Sequence, residues 1–230
     1  MGGQPSRWIA NRDPIARSAE SRQFVDNILA ELAAGRFGPA AWTTFLGRSL
    51  VRSFAQARKR PLAATEVTAL HLLAGAAGSR RWALVSWFLC ITHVGMLGDR
   101  STLGWPNRLT LLRSLLPSLA PDSRWTSLFA LATDFVDGRL ARRGEESAFG
   151  AFADPIADGV FWSWYALRWE PNRGLRWAPI TLFAATTAAI AAAYFARGRT
   201  IDYPRLMAVR YASGAAQLML GLRAMRSVAR

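Results

Sequence analysis

Residues 134–142 read DFVDGRLAR, and residues 150–158 read GAFADPIAD. Asp134 and Asp137 are three positions apart, and Asp154 and Asp158 are four apart. At either spacing, two side chains share one face of a helix. The residues between the stretches are enough for the two helices to run antiparallel. The sequence therefore predicts that four carboxylates meet at one end of a helical pair.

The residue types of this cluster limit the ligands that it can bind. Four acids at membrane depth repel one another and need cations to neutralise them. Oxygen ligands without Cys or His suit Mg²⁺, Mn²⁺ or Ca²⁺ and not zinc. Two such ions about 3.5–4 Å apart can serve a displacement at phosphorus. Arg139, Arg142 and Arg143 could hold phosphate oxygens, and the small Gly138 and Ala141 let a ligand approach the backbone.

The rest of the chain has the composition of a membrane protein. It is 51% hydrophobic, contains ten tryptophans and carries a net charge of +14. Arginines bracket long apolar blocks, which favours the flanks of membrane helices over a nucleic-acid surface, so no nucleic-acid partner is expected. A single cysteine, Cys90, excludes an intrachain disulfide.

The sequence shows no useful strand alternation, and it predicts an all-α polytopic bundle of about six to seven transmembrane helices. The apolar blocks that carry this prediction are 62–78, 82–98, 106–120, 125–136, 149–169, 177–196 and 206–225.

The N-terminal part divides in two. Residues 1–60 are basic and amphipathic, with Trp42, Leu46 and Phe54 at helical spacing. This pattern fits a helix on the cytoplasmic membrane surface, and it fits equally well helices that pack on each other or on the membrane domain. Residues 61–100 are predicted to form a helical hairpin that returns the chain to the cytoplasmic side. Residues 106–230 then form the membrane domain, with the acids facing the cytoplasm.

The two motifs resemble the signature of the CDP-alcohol phosphotransferase family, Asp-x2-Asp-Gly-x2-Ala-Arg followed by Gly-x3-Asp-x3-Asp. Every fixed residue type is present, and the spacer between Arg142 and Gly150 is one residue shorter than usual. Upstream, PNRLTLLR at 106–113 is similar to the start of the family's first core helix. One of the family's usual core helices is missing from the predicted set. The hairpin is expected to take its place beside the last two helices.

The resemblance implies a multi-pass enzyme of the cell membrane. Such an enzyme moves a phosphatidyl group from a CDP-linked lipid, such as CDP-diacylglycerol, to a small alcohol and releases CMP. By resemblance, two Mg²⁺ or Mn²⁺ ions are held by Asp134, Asp137, Asp154 and Asp158. Asp158 would also be the general base that acts on the acceptor hydroxyl. A homodimer is compatible with the family.

The resemblance also implies residues that contact the substrates. The candidates for the CDP-linked donor are Asn107, Thr110, Gly138, Ala141, Arg142 and Gly150. Arg205 and Arg210, near the start of the last helix, are candidates for an acceptor phosphate from their position and charge. Ordinary cytoplasmic flanking arginines are the alternative for both.

Three other functions compete with this one: a catalytically silent family member serving as a membrane scaffold, a Mg²⁺-dependent membrane prenyltransferase, and a cation-coupled transporter. The prenyltransferase does not explain the Asp-Gly-x2-Ala-Arg core, and a transporter would not need the clustered arginines. Glycerol phosphate and inositol phosphate both fit a basic acceptor pocket, and serine or a simpler alcohol is a further alternative. The Asp154-Pro-x-Ala-Asp158 stretch resembles phosphatidylglycerophosphate synthases slightly more than other members.

Overall fold

The computed structural model describes residues 14–98, 100–140, 147–197 and 207–226. Within these ranges the chain is helical and has no strand, so the all-α prediction is confirmed. The elements are α1 (Pro14–Ala34), α2 (Pro39–Lys59), α3 (Pro61–Ala77), α4 (Arg80–His93), a 3-10 helix (Val94–Leu97), α5 (Gly104–Leu119), α6 (Thr126–Leu140), α7 (Ala148–Trp169), α8 (Arg173–Arg197) and α9 (Met207–Arg226).

Local chemistry explains where several helices begin. α2 and α3 each start at a proline, Pro39 and Pro61, because the first turn of a helix does not need the missing N–H. Ser79 caps α4, and Ser147 caps α7 by accepting a hydrogen bond from the backbone N–H of Gly150. Such caps satisfy N–H groups that have no partner inside the helix.

α3 and α4 form an antiparallel hairpin that is fixed to α5 at one end and to the loop before α5 at the other. Ser118 Oγ, near the end of α5, donates to the carbonyl of Ala74 at 2.9 Å. A Cβ atom on Gly78 would stand 1.6 Å from the carbonyl oxygen of Ser118. At the opposite end, the N–H of Ala63 donates to the carbonyl of Ser101 at 2.9 Å. The hairpin is therefore part of the same packed unit as α5.

The hairpin does not lie where the missing core helix was expected. Among the described residues α4 packs mainly on α2, α3 and α5, and neither α8 nor α9 is a principal neighbour. Two polar contacts hold the hairpin against α5. Trp82 Nε1 donates to the carbonyl of Ser114 at 2.8 Å, and Glu66 pairs with Arg108 at 2.8 Å. The expectation that the hairpin stands beside the last two helices is wrong.

α5 is the central helix of the bundle and packs against α3, α4, α6 and α7, while α8 packs on α7 and α9 on α6 and α7. One apolar core joins the hairpin to α5 and α7 through Val67, Leu111 and Phe149. A second core fills the space between α5, α6, α7 and α9.

We call the end of the bundle where α6 ends and α7 begins the motif end, and the opposite end of the bundle the far end.

The outer surface of the bundle is strongly apolar. In the described part of the chain one helical stretch, Arg173–Ala196 of α8, is long and apolar enough to cross a membrane, with a mean hydropathy of 1.5. The hairpin exposes Leu72 and Leu84, and α6 exposes Phe129 and Phe135. α2 exposes Trp42, Leu46 and Phe54. Apolar surface of this extent normally marks contact with lipid or another protein.

Candidate metal centre

The four predicted acids converge at the motif end. Asp134 and Asp137 occupy the last turns of α6, and Asp154 and Asp158 lie in the first half of α7. All four carboxylates face one side chain of α5, that of Arg113. The two helical pairs therefore meet across a third helix, with a guanidinium between them.

Arg113 is completely buried, with 0% of its side chain exposed. Its Nη1 lies 3.2 Å from Asp137 Oδ2 and 3.6 Å from Asp134 Oδ1. Its Nε lies 2.8 Å from Asp158 Oδ1, and its Nη2 contacts Asp154 Oδ1. A guanidinium has five N–H groups in one plane, so it can face several carboxylates at once. Burial of this charge depends on these partners.

The carboxylates differ in exposure, and this defines an open side of the site. The side chain of Asp137 is 7% exposed and that of Asp158 23%, against 39% for Asp134 and 41% for Asp154. Thr110 Oγ1 donates to Asp137 Oδ2 at 3.2 Å and holds this acid against α5. A ligand can therefore reach the cluster between Asp134 and Asp154.

The arrangement fits a divalent cation. Asp134, Asp154 and Asp158 each offer one carboxylate oxygen, and these oxygens lie within 4.8 Å of one another. Oxygens bound to one Mg²⁺ or Ca²⁺ at about 2.0–2.6 Å lie within about 5 Å of each other. The described cluster contains neither Cys nor His, so its donors are those that hard cations prefer.

Asn107 and Gly150 lie beside the metal centre and join α5 to α7. Asn107 is buried, and its Nδ2 donates to the carbonyl of Leu103 and to Ser147 Oγ. Ser147 Oγ in turn donates to Asn107 Oδ1 at 3.2 Å. The N–H of Gly150 donates to the same hydroxyl at 3.0 Å. The structure thus places both predicted donor-contact residues where they position the start of α7.

The other predicted contact residues are described only in part. Thr110 is buried next to Asp137, and Gly138 follows it, half-buried, at the end of α6. Ala141, Arg142 and Arg205 lie outside the described residues, as does the side chain of Arg210. Their predicted roles stay predictions.

Two residues of the site were missed from the sequence. Arg113 belongs to the 106–113 pattern, but the sequence alone assigns no role to it. A charged residue inside an apolar helix usually has a functional partner, and that signal points to it. Ser147 is missed because a serine before a helix is common, although it is a preferred N-cap.

The fold and the site together define a class: a helical bundle whose aspartates line a site suited to divalent cations at one end. A family model described as CDP-alcohol phosphatidyltransferase matches residues 105–226, and the chain belongs to this family of transferases. The resemblance noted from the motifs is thereby confirmed.

One curated relative is a CDP-diacylglycerol--glycerol-3-phosphate 3-phosphatidyltransferase from Pseudomonas fluorescens. It is 44% identical over 66 residues, a match that covers 23% of this chain and 34% of the relative. The chain thus covers about a third of that relative's length. No solved structure matches the chain.

Proposed function

We propose that this chain is a membrane phosphatidyltransferase. It moves a phosphatidyl group from a CDP-linked lipid to the hydroxyl of a small alcohol and releases CMP. The observation that carries the proposal is the convergence of both acid pairs around an open edge at Asp134 and Asp154. The family match covers both pairs.

The chain's own residues have distinct tasks in this reaction. Asp134, Asp154 and Asp158 are placed to hold divalent ions, and Asp137 completes the set from its buried position. When bound, Mg²⁺ or Mn²⁺ supplies positive charge for the pyrophosphate oxygens of the donor. Thr110 keeps the carboxylate of Asp137 in place through its hydroxyl.

Asp158 is the proposed general base. Its Oδ1 is buried and faces Arg113 Nε at 2.8 Å, which leaves Oδ2 as the proposed proton acceptor. That oxygen takes the proton of the acceptor hydroxyl. The acceptor oxygen forms a bond to the lipid-linked phosphorus. The bond from this phosphorus to the bridging oxygen breaks, and CMP leaves with the electron pair.

The surface of the bundle supports a place in the membrane. A donor with acyl chains requires a site that lipid can reach, and α8 together with the outer faces of the hairpin and α6 is apolar and exposed. α2 is fixed near the motif end, where Ser53 Oγ donates to the carbonyl of Thr92 at 2.8 Å. We place the chain across the membrane several times, with the motif end towards the cytoplasm and α2 on its surface.

The family and the relative support a proposal for the two substrates. The donor is CDP-diacylglycerol, and the acceptor is a phosphorylated small alcohol, the class named for the relative. Asn107, Thr110, Gly138, Ala141, Arg142 and Gly150 belong to the donor pocket in this proposal, and Arg205 and Arg210 to the acceptor side.

The test is CMP release by the purified protein in lipid. CDP-diacylglycerol, Mg²⁺ or Mn²⁺ and a panel of acceptors are supplied, with glycerol 3-phosphate and inositol phosphate among them. Release is expected to require the metal and one acceptor, and Asp158→Asn should lower it by at least about 100-fold. Metal-dependent binding of a cytidine nucleotide without release from any acceptor would instead favour a catalytically silent family member. Loss of both release and binding would overturn the proposal.

A further inference from the structure

Arg113 has an unusual position for a charged residue. It lies in the middle of α5 between the apolar residues Leu111 and Leu115, and its side chain is completely buried. Its three guanidinium nitrogens contact different acids. Nη1 contacts the two aspartates of α6, whereas Nη2 and Nε each contact one aspartate of α7. One side chain thus contacts both of the helices that carry the motifs.

The charge of the cluster is not balanced by Arg113 alone. Four carboxylates and one guanidinium have a formal net charge of −3. The nearest described arginine of α6, Arg139, is exposed and lies over the Phe135 ring at 4.3 Å. Among the described residues, Arg113 relieves the repulsion among the acids from the buried side. A divalent cation that binds at the exposed side can relieve it further.

Arg113 and the divalent ions also approach from different directions. The guanidinium lies on the α5 side, next to Asp137, the most buried of the acids. The open edge lies at Asp134 and Asp154. Each of these acids contacts Arg113 through Oδ1, and 39% of the side chain of Asp134 and 41% of that of Asp154 are exposed. A metal ion can therefore approach the cluster from the exposed side, opposite the arginine.

We propose that Arg113 is a permanent internal cation of the metal centre. It acts as a positioning residue, because it holds the carboxylates of α6 and α7 together and leaves one face of the cluster for divalent ions. The inference rests on the proposed metal-dependent function. It adds that the centre is assembled before the metal binds, by a charge supplied from the chain itself.

The first experiment separates positioning from simple packing. Melting temperatures are measured for wild type, Arg113→Met and Arg124→Met, each in EDTA and in saturating Mn²⁺. Arg124 is the matched control, because it is a half-buried arginine that bonds the carbonyl of Ala224 at 2.9 Å and lies over Trp169 at the far end.

Arg113→Met should lower the melting temperature in EDTA by about 10 °C, because four acids lose their internal counter-charge. Mn²⁺ should restore at least half of that loss. Arg124→Met should lower both values equally. An equal fall in EDTA and in Mn²⁺ for Arg113→Met would show a packing role alone and overturn the inference.

The second experiment remains informative if Arg113→Met does not fold. Arg113→Lys keeps the charge, but its single ammonium cannot divide three nitrogens among four carboxylates. Its melting temperature in EDTA should stay near that of wild type, while Mn²⁺ affinity, measured by the EPR signal of free Mn²⁺, should fall about tenfold.

Wild-type affinity in Arg113→Lys would refute the positioning role and leave the metal centre standing. Absence of Mn²⁺ binding in wild type would refute the metal centre itself, and the inference with it. Mn²⁺ affinity of Arg113→Lys therefore tests the role of Arg113, whereas Mn²⁺ binding by wild type tests the proposed metal centre.

Discussion

Gly150 of α7 lies against Asn107 of α5 so closely that a Cβ atom at position 150 would stand 2.6 Å from Asn107 Oδ1. The same amide is bonded to Ser147, the cap of α7. Asp154 follows Gly150 by one helical turn, so the height of the second acid pair along α7 depends on this contact.

Gly150→Ala is expected to push α7 away from α5 and to disturb the acids. The melting temperature should fall by several °C, and Mn²⁺ affinity should fall with it. Gly214→Ala in α9 is the control, because a Cβ atom there would meet nothing within 4 Å. Alanine is the better helix former, so the control should be neutral or slightly stabilising. Equal behaviour of the two variants would contradict the close approach.

The buried and the exposed acid of α6 should respond differently to neutralisation. Asp137→Asn removes a buried charge that Arg113 and Thr110 both contact, whereas Asp134→Asn changes a half-exposed residue. Both variants should lose Mn²⁺ affinity by at least about tenfold. Asp137→Asn should also have the lower melting temperature in EDTA, because it weakens the hydrogen bonds that the buried carboxylate accepts from Thr110 and Arg113. A lower value for Asp134→Asn would be incompatible with the observed burial.

The ion pair of Glu170 with Arg223, at the far end, predicts a dependence of stability on pH. Arg223 of α9 donates to both carboxylate oxygens of Glu170 at 2.9 Å. These hydrogen bonds, chiefly, hold the pKa of Glu170 below its ordinary value. A lowered pKa in the folded state stabilises the fold above the unfolded pKa of about 4.3. This stabilisation is lost as the pH falls through the lower folded pKa.

Glu170→Gln should therefore lower the melting temperature at pH 7, and the difference from wild type should shrink below about pH 4. Thermal unfolding in detergent from pH 7 to pH 3 measures this. Asp122→Asn is a suitable control, because the exposed pair of Asp122 with Arg168 should contribute little at any pH. A difference for Glu170→Gln that stays constant over this range would exclude the ion pair as its cause.

The proposed orientation predicts which surface reagents reach. In a Cys90→Ser background, Thr44→Cys marks α2 near the motif end and Asp122→Cys marks the far end. A membrane-impermeant maleimide should label Asp122→Cys in right-side-out spheroplasts and Thr44→Cys in inverted vesicles. Labelling of both positions from the same side would contradict a bundle that crosses the membrane between them.

Most helices could be located from the sequence, because apolar blocks and caps are local signals. The block 149–169 became Ala148–Trp169, and 177–196 became Arg173–Arg197. The block 82–98 was expected as one helix, yet the α-helix ends at His93 and continues as a 3-10 helix. There a Cβ atom at Gly95 would lie 2.9 Å from Gln56 Cγ of α2. That contact between distant parts of the chain cannot be read from local spacing.

The candidate site, like the fold, could be predicted from the sequence only where local signals define it. The four acids could be predicted, because their residue type and their spacing on two helices identify them. Arg113 could not be assigned, since Asp137 and Asp154 are 24 and 41 residues away from it and no local rule links them. The contact between Asn107 and Ser147 spans 40 residues and was hidden for the same reason.

The close approach of Gly78 to the carbonyl of Ser118 has a consequence for how the protein is made. α3 and α4 leave the ribosome before α5, yet the turn between them reaches its final place only against the end of α5. The hairpin therefore lacks its contact with α5 until residue 118 has been synthesised. A nascent chain arrested before that point would expose the hairpin's inner face, including Ala74 and Ala83, to whichever chaperone or insertase is holding it.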